Sequence, residues 1–551
     1  MNAQAKYCSF TMFVLSLATP LALGQPIPID PTGVSPGSAM LFAPWGHTES
    51  NYIIYTDGTE YFSQDGETGR ILVRDADAWT VFDTTLTELA LEGGGRIYVK
   101  PGHYLLNQRL DLISNLLIEG AEGAIIDQDA SAAAFLCNGL ENLMISHLTF
   151  RNCPEQGIRL QGGCSDIRIR ACRFEDIEQH AIVNFTENLE RIWIDDCYVT
   201  RAGMASDPSG TPTYTAINLY HAKDAFLRNN VAQYCGSTGI GVWSAGGRVL
   251  VSGNNSSHND QNNVLGQGHG LIVGGTTEEV VISGNILTSN GGNGIEAGSG
   301  ECGDECPNLA RYVITGNISA NNGRTGLWAT GDQVIVSNNM CVLNGSTGIH
   351  VGYADKSRHI LIQNNICGNN NQSGQTQAFR ASGIALNNPV SGGSVDEKVL
   401  ITHNLCYDDQ QGDGGSPSPT QLYGIHCQNE VDGVVIESNR VYGNKDGQIS
   451  YTPAGGLIVR QNVGFATEGS GEASVEGDNS NADPDFVVVD HGLDIDPTDT
   501  RSLFHLVPMS NLGGRSFWIG DVNDTSFTIF VEDTGNDAGV SFTFGWSYVA
   551  Q

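Results

Sequence analysis

Positive charge is scarce in this chain: 27 Lys and Arg stand against 61 Asp and Glu, a formal net charge of -34 over 551 residues. So acidic a surface repels the phosphates of nucleic acid and of membranes, which sets both aside as partners. It suits salty water or Ca2+; no other cofactor is implied, and no metal ligands are assigned. Beyond the first two dozen residues there is no apolar run long enough to span a bilayer, so membrane insertion is not expected. Zinc-binding and phosphate-loop signatures are also missing.

Cysteine is present but in an ambiguous role. Of 13 residues, Cys8 lies in the N-terminal apolar stretch, leaving an even twelve. That stretch reads as a secretion signal over residues 1–24: Lys6, an apolar run from Phe10 to Leu23, then Ala22-Leu23-Gly24 before Gln25. The expected location is therefore secreted: extracellular, periplasmic or cell-surface. In that setting an even count invites disulfides. Cys302 and Cys306 share one short acidic loop and are a local pair, or half of a metal clip. Cys172 and Cys197 either pair or stack.

What the chain has in abundance is a repeat. An alternating apolar strand ending in Asn recurs as Val280–Asn285, Tyr312–Asn317, Val334–Asn339 and Ile360–Asn365. A Gly-led strand recurs between them: Gly239-Ile240-Gly241-Val242, Gly294-Ile295-Glu296-Ala297, Gly348-Ile349-His350-Val351 and Gly383-Ile384-Ala385-Leu386. Such a unit cannot bury its apolar side alone and must stack on copies of itself. Alignment puts Asn230, Asn254, Asn285, Asn317, Asn339, Asn365, Asn404, Asn439 and Asn462 in one column. Asn there tolerates a left-handed turn and can pass amide hydrogen bonds along the stack. Two residues later the column is small or apolar, hence inward, and includes Cys341, Cys367 and Cys406. Insertions interrupt the repeat at 204–214, 256–268, 373–382 and 411–422, with an extra loop at 299–310.

The run Gly93-Gly94-Gly95-Arg96-Ile97-Tyr98-Val99-Lys100-Pro101-Gly102 resembles the opening coil of the pectate-lyase-like superfamily of right-handed parallel β-helices. The fold implied is all-β: a parallel β-helix of about twelve coils over 93–466. Residues 25–92 are expected to hold short strands and a capping helix near 78–92. Residues 467–484, rich in Gly, Ser, Asp and Glu, read as a linker. Residues 485–551 read as a small antiparallel β module similar to those of tailspike and surface β-helix proteins, serving glycan binding, oligomerisation or capping. The resemblance implies a carbohydrate-active or adhesive protein, not one activity. Tyr423-Gly424-Ile425-His426-Cys427-Gln428 occupies the register where alginate C5-epimerases carry Tyr-Gly-Phe-Asp-Pro-His, and only the first two residues match.

Strand alternation makes the Gly-led strands an outward ribbon. Phe185, Tyr220 and Trp243 are expected in one register on neighbouring coils, a set of steps on which a sugar chain could lie; cover by a loop is the alternative. Nine of the Lys and Arg residues fall in 151–228, among them Arg159 and Lys223, an arrangement suited to an acidic ligand. Asn218 and Glu296 also face outward. Tyr220, His180, His221 and His269 are the acid–base candidates, with Arg159, Asn218, Lys223, Phe185, Trp243 and Glu296 as substrate contacts. His350 and His426, farther along, are expected to be silent. These residue types fit β-elimination of a uronate chain, which needs a cation, a base and a proton donor. The expected partner is an acidic extracellular polysaccharide, with homo-oligomers left open. Hydrolysis by two carboxylates and a non-catalytic adhesive role are the alternatives.

Overall fold

In the computed structural model the residues described are 50–185, 188–205, 214–244, 246–261, 268–275, 279–298, 311–331, 333–352, 359–386, 398–411, 418–430, 433–452, 457–477, 484–493, 504–523, 525–534 and 538–549. The signal segment, Cys302 and Cys306 lie outside them.

Three sheets wind into a right-handed β-helix: two parallel sheets of thirteen strands each, and a first of seventeen that is parallel except where Tyr52–Thr56, Tyr61–Asp65 and Ile71–Asp75 pair antiparallel at its N-terminal end. The expectation of about twelve coils is met closely. The first sheet holds the alternating apolar strands, such as Val334–Ser337; the second the short strands after the Asn, such as Met340–Val342; the third the Gly-led strands, such as Ile349–Val351. Helix Ala78–Glu92 lies at the N-terminal end. Asp77 accepts the Thr80 amide at its start, and Gly93 closes it in the left-handed conformation. Its buried Val81, Phe82, Leu86 and Leu89 join the solenoid core, so the first coil is not left open to water.

The Asn column is a continuous buried ladder. In each rung the Asn amide nitrogen and side-chain Nδ2 donate to Oδ1 of the next Asn: Asn317 to Asn339 at 3.0 and 2.9 Å, and Asn339 to Asn365 at 2.9 and 3.0 Å. The column Asn is not itself the left-handed residue, as the sequence suggested. That role falls to the residue before it, including Asn229, Gly253, Gly284, Asn338 and His403. The turn needs positive φ at one place and the amide ladder at the next.

A second ladder, unforeseen, runs along the following corner five residues on: Asn259, Asn290, Asn322, Asn344 and Asn370. Where the 411–422 insertion breaks the count, Gln421 takes the place of Asn and bridges Asn370 to Asn444. The Gly column has a separate cause. A Cβ on Gly326 or Gly348 would come within 2.6 Å of the carbonyl oxygen of the next coil's glycine, so the coils close only where the side chain is missing.

Cys341, Cys367 and Cys406 stack in register inside the core as expected. All ten described cysteines are buried free thiols. Cys172 and Cys197 therefore stack without bonding; each thiol donates to a backbone carbonyl one coil back.

The linker assignment needs correction. Glu468–Glu476 is a strand paired antiparallel with Ser541–Val549, and residues 484–549 add a second three-stranded sheet around a separate core. Gly471, which looked like linker composition, is where the Trp546 ring lies: a Cβ would meet its Nε1 at 2.8 Å. Ala473 and Val475 of the same strand pack into that core.

Candidate functional site

The outward face of the third sheet carries two columns of side chains. One contains Arg159, Val183, Asn218, Gly241, Ile272, Glu296, Trp328, His350, Ala385 and His426 in successive register. The other holds Tyr220 and Trp243, followed by Gly274.

Tyr220 and Trp243 stack, with ring centroids 6.4 Å apart and planes 13° from parallel. The Tyr220 backbone is held by Asn184, whose side chain accepts its amide and donates to its carbonyl, both at 2.6 Å. Gly274 leaves room for the indole, since a Cβ would sit 2.8 Å from Cζ3. Phe185 is not the third step. Its strand stops at Val183, and the ring stands against His180 edge-on at 5.6 Å, under the Arg159 guanidinium at 5.1 Å. Asn218 is buried beside Gly241, and its Oδ1 has no hydrogen-bond partner among the described residues.

The other candidates separate. His180 is buried, donates from Nδ1 to the Thr215 carbonyl at 2.6 Å, and packs against Tyr214. Burial pushes its pKa down to about 4 despite that bond, which makes it a packed turn residue and not an exposed acid. His221 is exposed at the turn leaving the strand, with φ of 50°. Lys223 belongs to the first sheet, opposite Glu190, so it does not serve the ribbon.

The basic island is mostly neutralised. Arg151, Arg173, Arg191, Arg201 and Arg228 pair with Asp127, Glu175, Asp166, Asp176 and Asp195, and Arg170 reaches Asp196. Arg168 lies over Trp193. Apart from Arg173–Glu175, which lies within one strand, these are coil-to-coil contacts of the scaffold, and together they leave little charge for an anion.

His269 and Glu296 come together, joined through Asn293. The Asn293 amide donates to His269 Nδ1 at 3.0 Å, and its side chain donates to Glu296 Oε2 at 2.9 Å. Since Nδ1 is accepting, its 3.5 Å approach to Glu296 is not an ion pair.

Asn293 also lines a cavity of about 320 Å3 that the sequence reading passed over. Trp328 and His350 stack on its floor at 6.0 Å, and Phe379 stands 6.2 Å from His350. Arg324 and Arg380 line it as well. Phe379 and Arg380 sit on a short 3-10 turn, Ala378–Arg380, that belongs to the 373–382 insertion. Ser346 and Thr347 donate to the carbonyls of Arg380 and Phe379 at 2.6 and 2.7 Å, fixing the insertion over the sheet. His350 is buried, its Nε2 has no hydrogen-bond partner among the described residues, and desolvation and the Arg380 charge bring its pKa down to about 4. A neutral imidazole beside two guanidinium groups can take a proton next to a bound carboxylate. The insertion was legible in the repeat spacing; that it folds back onto His350 was not. Among the described residues no group of three or more His, Cys, Asp or Glu is placed to hold a metal ion.

Residues 133–306 match the right handed beta helix region family. A search of curated protein sequences finds no significant match. Among solved structures, the A-module of the mannuronan C-5 epimerase AlgE6 of Azotobacter vinelandii is 18% identical, covering 70% of this chain and 95% of that one, with a TM-score of 0.45. The Dettilon tailspike protein is 13% identical, with 86% and 91% covered and a TM-score of 0.48. The tailspike protein of E. coli bacteriophage HK620, solved with a pentasaccharide, is 11% identical, with 86% and 90% covered and a TM-score of 0.50. The fold of this chain is the right-handed parallel β-helix.

Proposed function

We propose that the protein is an exported carbohydrate-active β-helix that binds an acidic polysaccharide along its third sheet and cleaves it by β-elimination. The observation that carries this reading is the cavity lined by Arg324, Arg380 and the unprotonated His350, stacked on Trp328. A uronate carboxylate would be neutralised by the guanidinium pair, which acidifies the neighbouring C5–H. His350 would accept that proton. The C–H electrons form the C4–C5 double bond, the bond from C4 to the glycosidic oxygen breaks, and that oxygen takes up a proton from water. The Tyr220–Trp243 ledge, several coils away on the same face, would hold the chain by ring stacking against sugar C–H faces.

Hydrolysis has less support. No Asp or Glu is among the described residues lining the cavity, and Glu296 is held by Asn293. The test is incubation with a panel of polyuronates, following the ultraviolet absorbance of new unsaturated ends alongside reducing ends. Unsaturated ends that fall by roughly 100-fold or more in His350→Ala support the reading. Reducing ends without absorbance would make it a hydrolase, and binding with neither product would make it a receptor or adhesin.

A further inference from the structure

The C-terminal module carries a second feature of a binding protein, independent of the β-helix cavity. Its sheet of Asp485–Asp490, Ser526–Val531 and Phe517–Gly520 has a core-facing side and an outward side. Val487, Val489, Phe527, Ile529, Val531 and Ile519 face the module core. The opposite face puts Phe486, Phe530 and Trp518 directly across from one another on three adjacent strands. Trp518 stacks on Phe530 at 5.5 Å with planes 10° apart, and Phe486 follows at 5.9 Å. Phe486 is 60% exposed, Trp518 43% and neighbouring Val488 58%. Gly520 keeps the row low, because a Cβ would meet the Phe530 ring at 2.7 Å.

Two exposed rings flanking a half-buried one make too large an apolar feature to be incidental, and it needs an occupant. Charge selects it. Residues 485–551 contain ten Asp and Glu against two Arg, so an anionic chain or a second copy of the module meets like charge. A neutral sugar chain does not, and the C–H faces of successive pyranose rings match a row of π faces without any ionic partner. We infer that this face binds a neutral polysaccharide laid across Phe486, Phe530 and Trp518, anchoring the protein to a matrix distinct from the acidic chain proposed for the β-helix.

The test is native affinity electrophoresis of the full chain through gels containing glucomannan, hydroxyethyl cellulose or soluble starch. The wild type should be retarded by at least one of them. Trp518→Ala combined with Phe486→Ala should raise its Kd about tenfold or more, Trp518→Phe should retain most binding, and His350→Ala should change nothing in these gels. Val488→Glu, at an exposed position beside the rings, should weaken binding if the alanine variant folds poorly. Free migration of the wild type in every neutral gel, or retardation that survives both the double substitution and Val488→Glu, overturns the proposal. So does a wild-type dimer that Trp518→Ala splits in sedimentation, since the face would then join two copies.

Discussion

Replacing Asn339 by Leu tests the ladder on which the solenoid depends. The side chain is buried and makes four hydrogen bonds: Nδ2 donates to the Ile314 carbonyl at 2.9 Å and to Asn365 Oδ1 at 3.0 Å, while Oδ1 accepts the Asn317 amide and its Nδ2. Leucine fills nearly the same volume, so packing changes little and the loss is polar. Asn365 Oδ1 still receives the Asn339 backbone amide, and Asn317 Nδ2 still donates to the Ile282 and Thr315 carbonyls. The Asn317 N–H and the Ile314 C=O lose the partner described. Each buried group left unsatisfied costs about 1–3 kcal/mol, so the expected loss is about 2–6 kcal/mol. Urea denaturation of the full chain measures it, with Ile335→Ala on the outer face of the same coil as a control expected to change by less than about 1 kcal/mol. Hydrogen exchange locates it: the Asn317 amide should lose protection while that of Ile167, many coils away, keeps it, because solenoid coupling is between neighbours. An unprotected control, or a loss below about 1 kcal/mol with Asn317 still protected, would refute the claim that the ladder stabilises the coil through its side-chain bonds.

Burial holds His180 and His350 at a pKa of about 4, below the ordinary 6.5, so the unfolded chain binds more protons between those values. Stability should be fully present above pH 6.5 and fall as pH drops toward 4, and His350→Gln should flatten that slope in melting curves across the window. Gly348→Ala would push a Cβ to 2.6 Å from the Gly383 carbonyl oxygen and 2.7 Å from Asn370 Nδ2; the expected cost is about 1–3 kcal/mol by urea denaturation, and no change would mean the coils can spread. Trp243→Ala should weaken polysaccharide binding about tenfold with little change in Tm; the reverse pattern would make the indole a covering for Gly274 and not a sugar ledge.

The ladders, the Gly column and the Cys341–Cys367–Cys406 stack were readable, or could have been, because every coil faces the same physical problem and answers it with the same residue. The second Asn ladder was equally available, at a constant five residues after the first. The N-terminal helix followed from its amphipathic pattern and lies at Ala78–Glu92. What the sequence could not decide was anything made by contact between segments without a period. Strand Glu468–Glu476 has the composition of a linker and becomes a strand because Ser541–Val549 offers it a complete set of backbone partners and a ring to lie under Gly471. The nine basic residues of 151–228 looked like a patch until register matched most of them with acids on adjacent coils. His180 looked available until Phe185 and Tyr214 closed around it. His350 looked idle until the 378–380 turn folded over it and placed Arg380 beside its ring. Repetition determined the scaffold from the sequence alone, whereas the cavity exists only because one irregular insertion returns to the sheet, a long-range contact that local pattern does not encode.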